Sequence, residues 1–192
     1  MARPKGSTSN APERLRLAAG RGFRVGGFGG VGVDGLAKEA GLTSGAFYTH
    51  FGSKAEAFRT ALHNGFEFFQ SGIAALKEKH GDSWVPALID FYFRERMEVE
   101  LCDACVLPSL TADAMRSDDS TRRLFEQDLE KLARTIAEGL TGESALSRAW
   151  VLLSLFAGGS SLARTVSNPI LRQQLLESVS ATAHRVCQNA AC

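Results

Sequence analysis

The stretch from Val33 to Lys54, VDGLAKEAGLTSGAFYTHFGSK, decides the fold of this 192-residue chain. Its first part predicts a short helix, because three apolar residues recur at the spacing of one buried helix face: Leu36, Ala37 and Ala40. Gly41 then stands where the chain needs a positive φ to leave that helix, a conformation that glycine adopts without steric cost. Phe47 and Phe51, four residues apart, give the following helix its apolar side.

Polar residues in the same stretch mark where the next helices begin. Thr43 or Ser44 can cap the second helix by accepting a hydrogen bond from its free N–H groups. Ser53 can cap a third helix, with Glu56 placed as in a capping box. Two short helices joined by a tight glycine turn form a helix-turn-helix, whose second helix lies in the major groove of DNA.

The string from Thr43 to Lys54, TSGAFYTHFGSK, resembles the recognition helix of TetR-type transcriptional regulators, with its G-x-[FL]-Y-x-H-F-x-[SN]-K pattern. The resemblance implies an all-α fold, in which an N-terminal helix-turn-helix head is attached to a larger helical body. Residues 1–53 would be the DNA-binding domain with a basic N-terminal arm. Residues 54–192 would be the ligand-binding and dimerisation domain.

The outer face of the second helix supplies the candidate DNA contacts. Small and polar side chains let the backbone come close to base edges. The residues expected at base edges are Ser44, Gly45, Ala46 and Thr49. The residues expected at backbone phosphates are Thr43, with the free N–H groups of its helix, and Tyr48, His50 and Lys54.

The distribution of charge agrees with DNA binding at one end only. The net charge is +1, but residues 1–54 carry eight Lys or Arg against three Asp or Glu, and the remainder is net negative. A basic head on a mildly acidic body suits local contact with phosphates. Arg3 and Lys5 either reach DNA as an arm or belong to a disordered terminus with incidental charge.

The rest of the chain predicts further helices, because its apolar residues recur with a helical period and no strand alternation competes. A long helix should run from Ser53 to Gly81. The other predicted helix starts are Asp82 or Ser83 (for a helix reaching Met97), Pro108, Ser117 or Asp118, Ser144 and Asn168. The glycine-rich stretch 26–32 is predicted to be a loop. No apolar run approaches the length of a membrane span.

The last two predicted helices present more apolar surface than a small monomer buries. They either form a dimer interface, as a four-helix bundle with a second copy, or close the core of a monomer. The TetR resemblance favours the dimer. The residues expected at the interface are Leu152, Phe156, Leu171, Leu175 and Val179.

Large apolar residues on the inner helix faces of the body offer a candidate binding site for an apolar small-molecule effector. The same residues would serve equally as plain core. They are Trp84, Phe91, Tyr92, Met115, Phe125 and Trp150. No cofactor or metal is expected.

The cysteines suggest two further possibilities. Cys102-x2-Cys105 could form a zinc site with His184-x2-Cys187. Residues 104–107, ACVL, also resemble a G-C-[LP]-[LV] segment in which the cysteine of some TetR relatives senses electrophiles or oxidants. A sensing thiol needs a lowered pKa, which the neighbouring acidic residues of the sequence would oppose. A structural role for Cys105 is favoured.

The sequence therefore predicts a cytoplasmic, ligand-responsive, homodimeric repressor that binds a palindromic DNA operator. It lacks the phosphate-binding loop, the nucleophile elbow and the H-E-x-x-H motif, so no enzyme is predicted. Two alternatives stay open. One is a thiol-sensing regulator that uses Cys105, and the other is a small all-α ligand-binding protein or enzyme without a DNA function.

Overall fold

A computed structural model describes residues 10–188. Arg3, Lys5 and Cys192 lie outside the described residues. Within 10–188 the chain forms nine α-helices and no strand. The helices are α1 (Ala11–Gly30), α2 (Val33–Glu39), α3 (Ser44–Phe51), α4 (Lys54–His80), α5 (Trp84–Phe93), α6 (Val106–Met115), α7 (Asp119–Ala137), α8 (Ala145–Thr165) and α9 (Pro169–Gln188). The all-α architecture and the N-terminal helix-turn-helix are confirmed.

The head consists of α1, α2, α3 and the first turns of α4, packed around aromatic side chains. The apolar residues predicted for α2 and α3 are buried, and α1 adds four more buried residues to the same core: Leu15, Ala18, Ala19 and Phe23. Gly41 has φ 67°, as the turn between α2 and α3 requires. Phe58 of α4 packs edge-on against Phe23 of α1, with 5.2 Å between their ring centroids. The long helix is therefore anchored in the head.

The glycine-rich stretch differs from the predicted loop. α1 continues to Gly30, with a kink at Gly27, where φ is 66° and ψ is 175°. Glycine is needed there, because only glycine readily adopts this backbone conformation. A Cβ atom on Gly27 would also lie 3.1 Å from a carboxylate oxygen of Asp113 in α6. The kink thus brings the end of α1 against the body.

The long helix α4 runs from the head into the body. The hydroxyl of Ser53 accepts a 3.0 Å hydrogen bond from the amide of Glu56, as predicted for a helix cap. The carboxylate of Glu56 pairs with Arg59. Gly81, with φ 54°, ends the helix. α4 also contacts α5, α6 and α7, so it is shared between head and body.

α8 is the central helix of the body and packs against α6, α7 and α9. By length and composition it is the one helix among residues 10–188 that could cross a membrane. Its inner face, however, fills the core of the chain: Leu152 and Phe156 are completely buried. The helix is apolar because it lies between neighbouring helices, as core helices do.

The predicted helix from Asp82 or Ser83 to Met97 stops early. α5 ends at Phe93, and residues 94–105 form an irregular connection with two short 3₁₀ turns, Glu95–Met97 and Leu101–Asp103. We call this connection the arginine-held segment, because arginine side chains donate hydrogen bonds to its carbonyl groups. The donors and the carbonyls that they reach are Arg24 to Ala104, Arg96 to Asp103, Arg164 to Arg96 and Val99, and Arg172 to Met97.

Candidate DNA-binding site and cavities of the body

The start of α3 is open for an anion. Thr43 caps the helix, since its hydroxyl accepts a 3.2 Å hydrogen bond from the amide of Ala46. The amides of Ser44 and Gly45 precede the first hydrogen-bonded turn and have no acceptor within the described residues. Free amides at a helix N-terminus are suited to bind phosphate. Ser44 and Gly45 therefore offer backbone donors that the free protein does not use.

The outer face of α3 combines exposed polar groups with little side-chain bulk. Tyr48 is 52% exposed, and Thr49 is exposed with its hydroxyl bonded to the carbonyl of Gly45 at 2.9 Å. A Cβ atom on Gly45 would contact only the Thr43 hydroxyl, at 3.7 Å. Ala46 is half-buried at the side of this face. The helix can thus approach a flat or grooved surface closely.

The aromatic residues of α3 divide as the sequence predicted. Phe47 and Phe51 lie in the core of the head. The half-buried ring of His50 stands 4.5 Å from that of Phe51, in an edge-on arrangement. Tyr48 is the aromatic side chain that α3 extends into solvent.

Two predicted DNA contacts are occupied within the protein. The hydroxyl of Ser44 donates to the carboxylate of Asp34 in α2. The ammonium group of Lys54 lies 4.8 Å from the ring centroid of Phe28 in α1. Neither partner is predictable from the sequence, because each is brought close by the tertiary fold and carries no local signal. The side chains of Ser44 and Lys54 therefore both have partners in the free protein.

The residues predicted to line a ligand site fall into separate places. Phe91 and Tyr92 line a cavity that we call the inner cavity, bounded by Arg24, Gly65, Phe68, Phe69, Gly72, Leu76, Leu88, Phe91, Tyr92, Arg96, Ala104, Cys105 and Val106. Met115, Phe125 and Trp150 line a different, open groove between α6, α7 and α8. Trp84 lines neither of these two. Its ring packs beside Gly139, where a Cβ atom would come within 2.4 Å of it, so Trp84 belongs to the core.

The last two helices expose apolar surface, but through residues that differ from some of those predicted. Leu152 and Phe156 are fully buried in the single chain and offer no surface to a partner. Val179 packs against Gly159 of α8. The large exposed apolar side chains of α8 and α9 are Leu146, Trp150, Val151, Leu162, Ile170 and Leu171. In α9 only Ala183 is fully buried, and Leu175 is half-buried.

The cysteines do not come together with His184. His184 bonds to Asp90 at 3.2 Å, and Cys102 accepts a hydrogen bond from Arg21 at 3.1 Å. Among residues 10–188 no group of three or more His, Cys, Asp or Glu side chains is arranged to hold a metal ion. The zinc hypothesis thus has no geometric support.

Burial raises the pKa of the Cys105 thiol. The nearby Tyr92 hydroxyl, the Leu107 backbone and the charges of Arg96 and Arg24 oppose this effect, yet the pKa of Cys105 lies above its ordinary value. The cause therefore differs from the acidic neighbours considered in the sequence analysis. A raised pKa is the reverse of what a reactive thiolate needs.

Comparison with known proteins agrees with the geometry of the head. Residues 16–61 match the family model described as bacterial regulatory proteins, tetR family. An uncharacterized HTH-type transcriptional regulator in the lacX 3′ region of Lactococcus lactis subsp. lactis is 24% identical over 141 residues, which are 71% of each chain.

Solved structures share the whole fold. A TetR transcriptional regulator from Legionella pneumophila superimposes with a TM-score of 0.80 at 17% identity, covering 95% of this chain and 100% of that one. E. coli NemR in its reduced form gives 0.79 at 19% identity, covering 96% and 100%. A TetR-family regulator from Streptomyces coelicolor gives 0.79 at 18% identity, covering 96% and 91%. The head thus matches the tetR family model, and the chain as a whole has the fold of TetR-type transcriptional regulators.

Proposed function

We propose that the protein is a homodimeric, ligand-responsive transcriptional repressor that acts in the cytoplasm and binds a palindromic DNA operator through α3. Residues 1–53 form its DNA-binding domain, and residues 54–192 form its ligand-binding and dimerisation domain. The observation that carries the proposal is the start of α3, where two free amides and the Thr43 cap stand beside exposed Tyr48 and Thr49.

In this proposal the helix start of α3 binds a phosphate, which fixes how the helix enters the major groove. Gly45 and Ala46 let the backbone approach base edges, and the methyl group of Ala46 can contact a thymine methyl. Thr49 and Ser44 supply hydroxyl groups for base edges. Tyr48, His50 and Lys54 bind flanking phosphates.

Two symmetric heads would read two half-sites one helical turn apart, which is why a dimer and a palindrome go together. The exposed apolar residues of α8 and α9 support a dimer interface there. Leu171 and Leu175 remain candidates for it, together with Val151 and Leu162. Gly158 is also exposed, and open space surrounds it, so a partner helix could approach closely.

The proposed switch operates through α4. Because α4 is anchored in the head and also borders the inner cavity, a ligand in the cavity can alter its tilt. A changed tilt alters the spacing between the two heads. Ligand binding lowers operator affinity if the ligand binds more tightly to a conformation in which the spacing of the two heads does not match the operator half-sites.

The test is selection of bound duplexes from a random double-stranded DNA pool, followed by native mass spectrometry of the enriched complex. Enrichment of a palindrome occupied by two or four chains is the expected result. If no sequence is enriched even at low salt, the regulator proposal fails, and an all-α ligand-binding protein or enzyme takes its place. The thiol-sensing alternative has weaker support, because burial raises the pKa of Cys105.

A further inference from the structure

The inner cavity has apolar walls and only positive charge. Aromatic and aliphatic side chains of α4 and α5 form most of its lining, and no Asp or Glu belongs to it. The space between its walls is narrow, and the volume of about 450 Å³ that they border includes open solvent at the mouth. Two guanidinium groups line it, from Arg24 and Arg96. The cavity therefore suits a slender or flat apolar molecule that carries negative charge.

Arg24 is partly buried, and its charge has no anionic partner. Its Nε donates to the carbonyl oxygen of Ala104 and its Nη1 to that of Gly20, both at 2.9 Å. Its Nη2 faces Gly65, where a Cβ atom would lie 3.2 Å away, and has no hydrogen-bond partner in the described part of the chain. Arg24 forms no ion pair with a described Asp or Glu. A guanidinium held only by neutral carbonyls is available to a carboxylate.

The electrostatic environment of Arg24 also favours an anionic ligand. Burial lowers the pKa of Arg24, and the like charge of Arg96 adds to this effect, although Cys105 and Asp103 act against it. The charge of Arg24 is thus incompletely compensated in the free protein. An anion bound in the cavity would relieve this cost, whereas a cation would increase it.

Tyr92 adds an independent observation. Its side chain lines the cavity and is 3% exposed, and its hydroxyl makes no well-formed hydrogen bond within residues 10–188, although the Cys105 thiol and the Ser160 hydroxyl lie near it. A buried hydroxyl without a partner is unfavourable, so such groups are typically satisfied by a ligand or by water. A ligand oxygen in the cavity would supply the missing partner.

We propose that the inner cavity binds a small organic carboxylate with an apolar tail or ring, and that Arg24 and Arg96 hold the carboxylate. The aromatic walls enclose the apolar part, and Tyr92 contributes a hydrogen bond. This assignment rests on the proposed function, since it names the chemical class of its effector. Charge-assisted hydrogen bonds to a carboxylate are stronger than the bonds that the two arginines now donate to carbonyl groups.

Arg24 also links the ligand to the head. It belongs to α1, and it currently ties α1 to the arginine-held segment through Ala104. Arg96 ties the same segment to itself through the carbonyl of Asp103, at 2.7 Å. A carboxylate that takes these donors therefore changes how α1 is attached to the body. The effect reaches the helix-turn-helix directly as well as through α4.

The experiment measures binding of octanoate and 2-naphthoate by isothermal titration calorimetry, with their methyl esters as uncharged counterparts. Each acid is expected to bind at least about tenfold more tightly than its ester, from the strength of hydrogen bonds to a charged group. Arg24→Gln and Arg96→Gln should each weaken binding of the acids by about tenfold and abolish the preference over esters. Arg134→Gln, at an exposed arginine paired with Glu130, is the matched control and should change nothing.

A second variant tests the place of binding without removing charge. Gly72 lines the cavity, and a Cβ atom on it would meet nothing within 4 Å, so Gly72→Leu should fold and fill the space. It is expected to abolish binding of acids and esters alike.

If Arg24→Gln does not fold, Arg24→Lys takes its place. The acids are then expected to bind less tightly than to the unchanged protein, because the fork of guanidinium donors is lost.

The assignment is overturned if the esters bind as tightly as the acids, if neither acid binds at about millimolar concentration, or if Gly72→Leu leaves binding intact. Operator binding is measured on the same preparations. Carboxylate binding without any selected DNA sequence would leave this assignment standing and refute the regulator proposal. Operator binding without a preference for acids over esters would support the regulator proposal and overturn the carboxylate assignment.

Discussion

The Nε atom of Arg24, six residues before the end of α1, donates a 2.9 Å hydrogen bond to the carbonyl oxygen of Ala104. Eighty residues separate the two in sequence, and the bond joins the DNA-binding head to the wall of the inner cavity. Head and body of this chain are therefore connected by more than α4. The side chain of Arg24 belongs to the head and also lines the inner cavity of the body.

Tyr48→Phe should weaken DNA binding by about tenfold without altering the preferred sequence. The exposed hydroxyl is proposed to bind a backbone phosphate, which carries no sequence information. Affinities for the selected operator and for single-base variants of it provide the measurement. A changed order of preference among those variants would mean that Tyr48 reads a base instead.

Lys54→Ala should lower the steepness with which operator affinity falls with salt, by about 0.9 in the slope of log K against log salt, as for the loss of one phosphate contact. Lys131→Ala is the matched control, because Lys131 pairs with Glu67 in the body at 2.8 Å. An unchanged slope for Lys54→Ala would show that its ammonium group stays over the ring of Phe28 in the complex.

Gly27→Ala should destabilise the protein by about 1–3 kcal/mol, because its φ of 66° and ψ of 175° suit glycine alone. The new methyl group would also crowd the carboxylate of Asp113. Gly29→Ala is the control, since a Cβ atom there meets nothing within 4 Å. Denaturant unfolding compares the two. Equal stabilities would show that the kink at Gly27 is not fixed in solution.

Tyr92→Phe should stabilise the ligand-free protein by about 1 kcal/mol, because it removes a buried hydroxyl that makes no well-formed hydrogen bond. The same change should weaken binding of octanoate. Tyr48→Phe serves as the control in unfolding experiments, since an exposed hydroxyl contributes little to stability. A destabilised Tyr92→Phe protein would indicate that its hydroxyl is satisfied within the fold.

Cys105 should react with iodoacetamide more slowly than Cys102 near neutral pH. Burial raises the pKa of the Cys105 thiol, so less of it is thiolate, and its reaction should accelerate as the pH approaches that higher pKa. Peptide mass spectrometry after timed labelling gives the two rates. Faster labelling of Cys105 would revive the thiol-sensing alternative, for which loss of oxidant response in Cys105→Ser is the decisive measurement.

The fold of the head follows from sequence, because its signals are local. Gly41 needs a positive φ. Thr43 and Ser53 each cap the amide three residues ahead, which is within reach of their own side chains. The inner stripe of α1 and the paired phenylalanines of α3 obey the helical period. Each of these features depends on residues that lie within about two helical turns of one another.

The features that the sequence does not predict depend on contacts between residues that are far apart in the chain. Nothing near Phe93 indicates that α5 stops there, because the carbonyls beyond it are satisfied by arginines from α1, α8 and α9. The apolar period of α8 likewise cannot distinguish a face buried by its own chain from a face awaiting a partner. For that reason the sequence places Leu152 and Phe156 at the dimer interface, whereas both are buried within the single chain.

The hydrogen bonds of the arginine-held segment span 65 to 80 residues of sequence for their donors in α1, α8 and α9. No helix or hairpin of its own can form that segment early, since its carbonyls find their partners only when those helices have assembled. We therefore expect this segment to be among the last parts of the body to take its native shape during folding, and among the first to lose it when the helices part. One side of the inner cavity would then form only in the fully assembled chain.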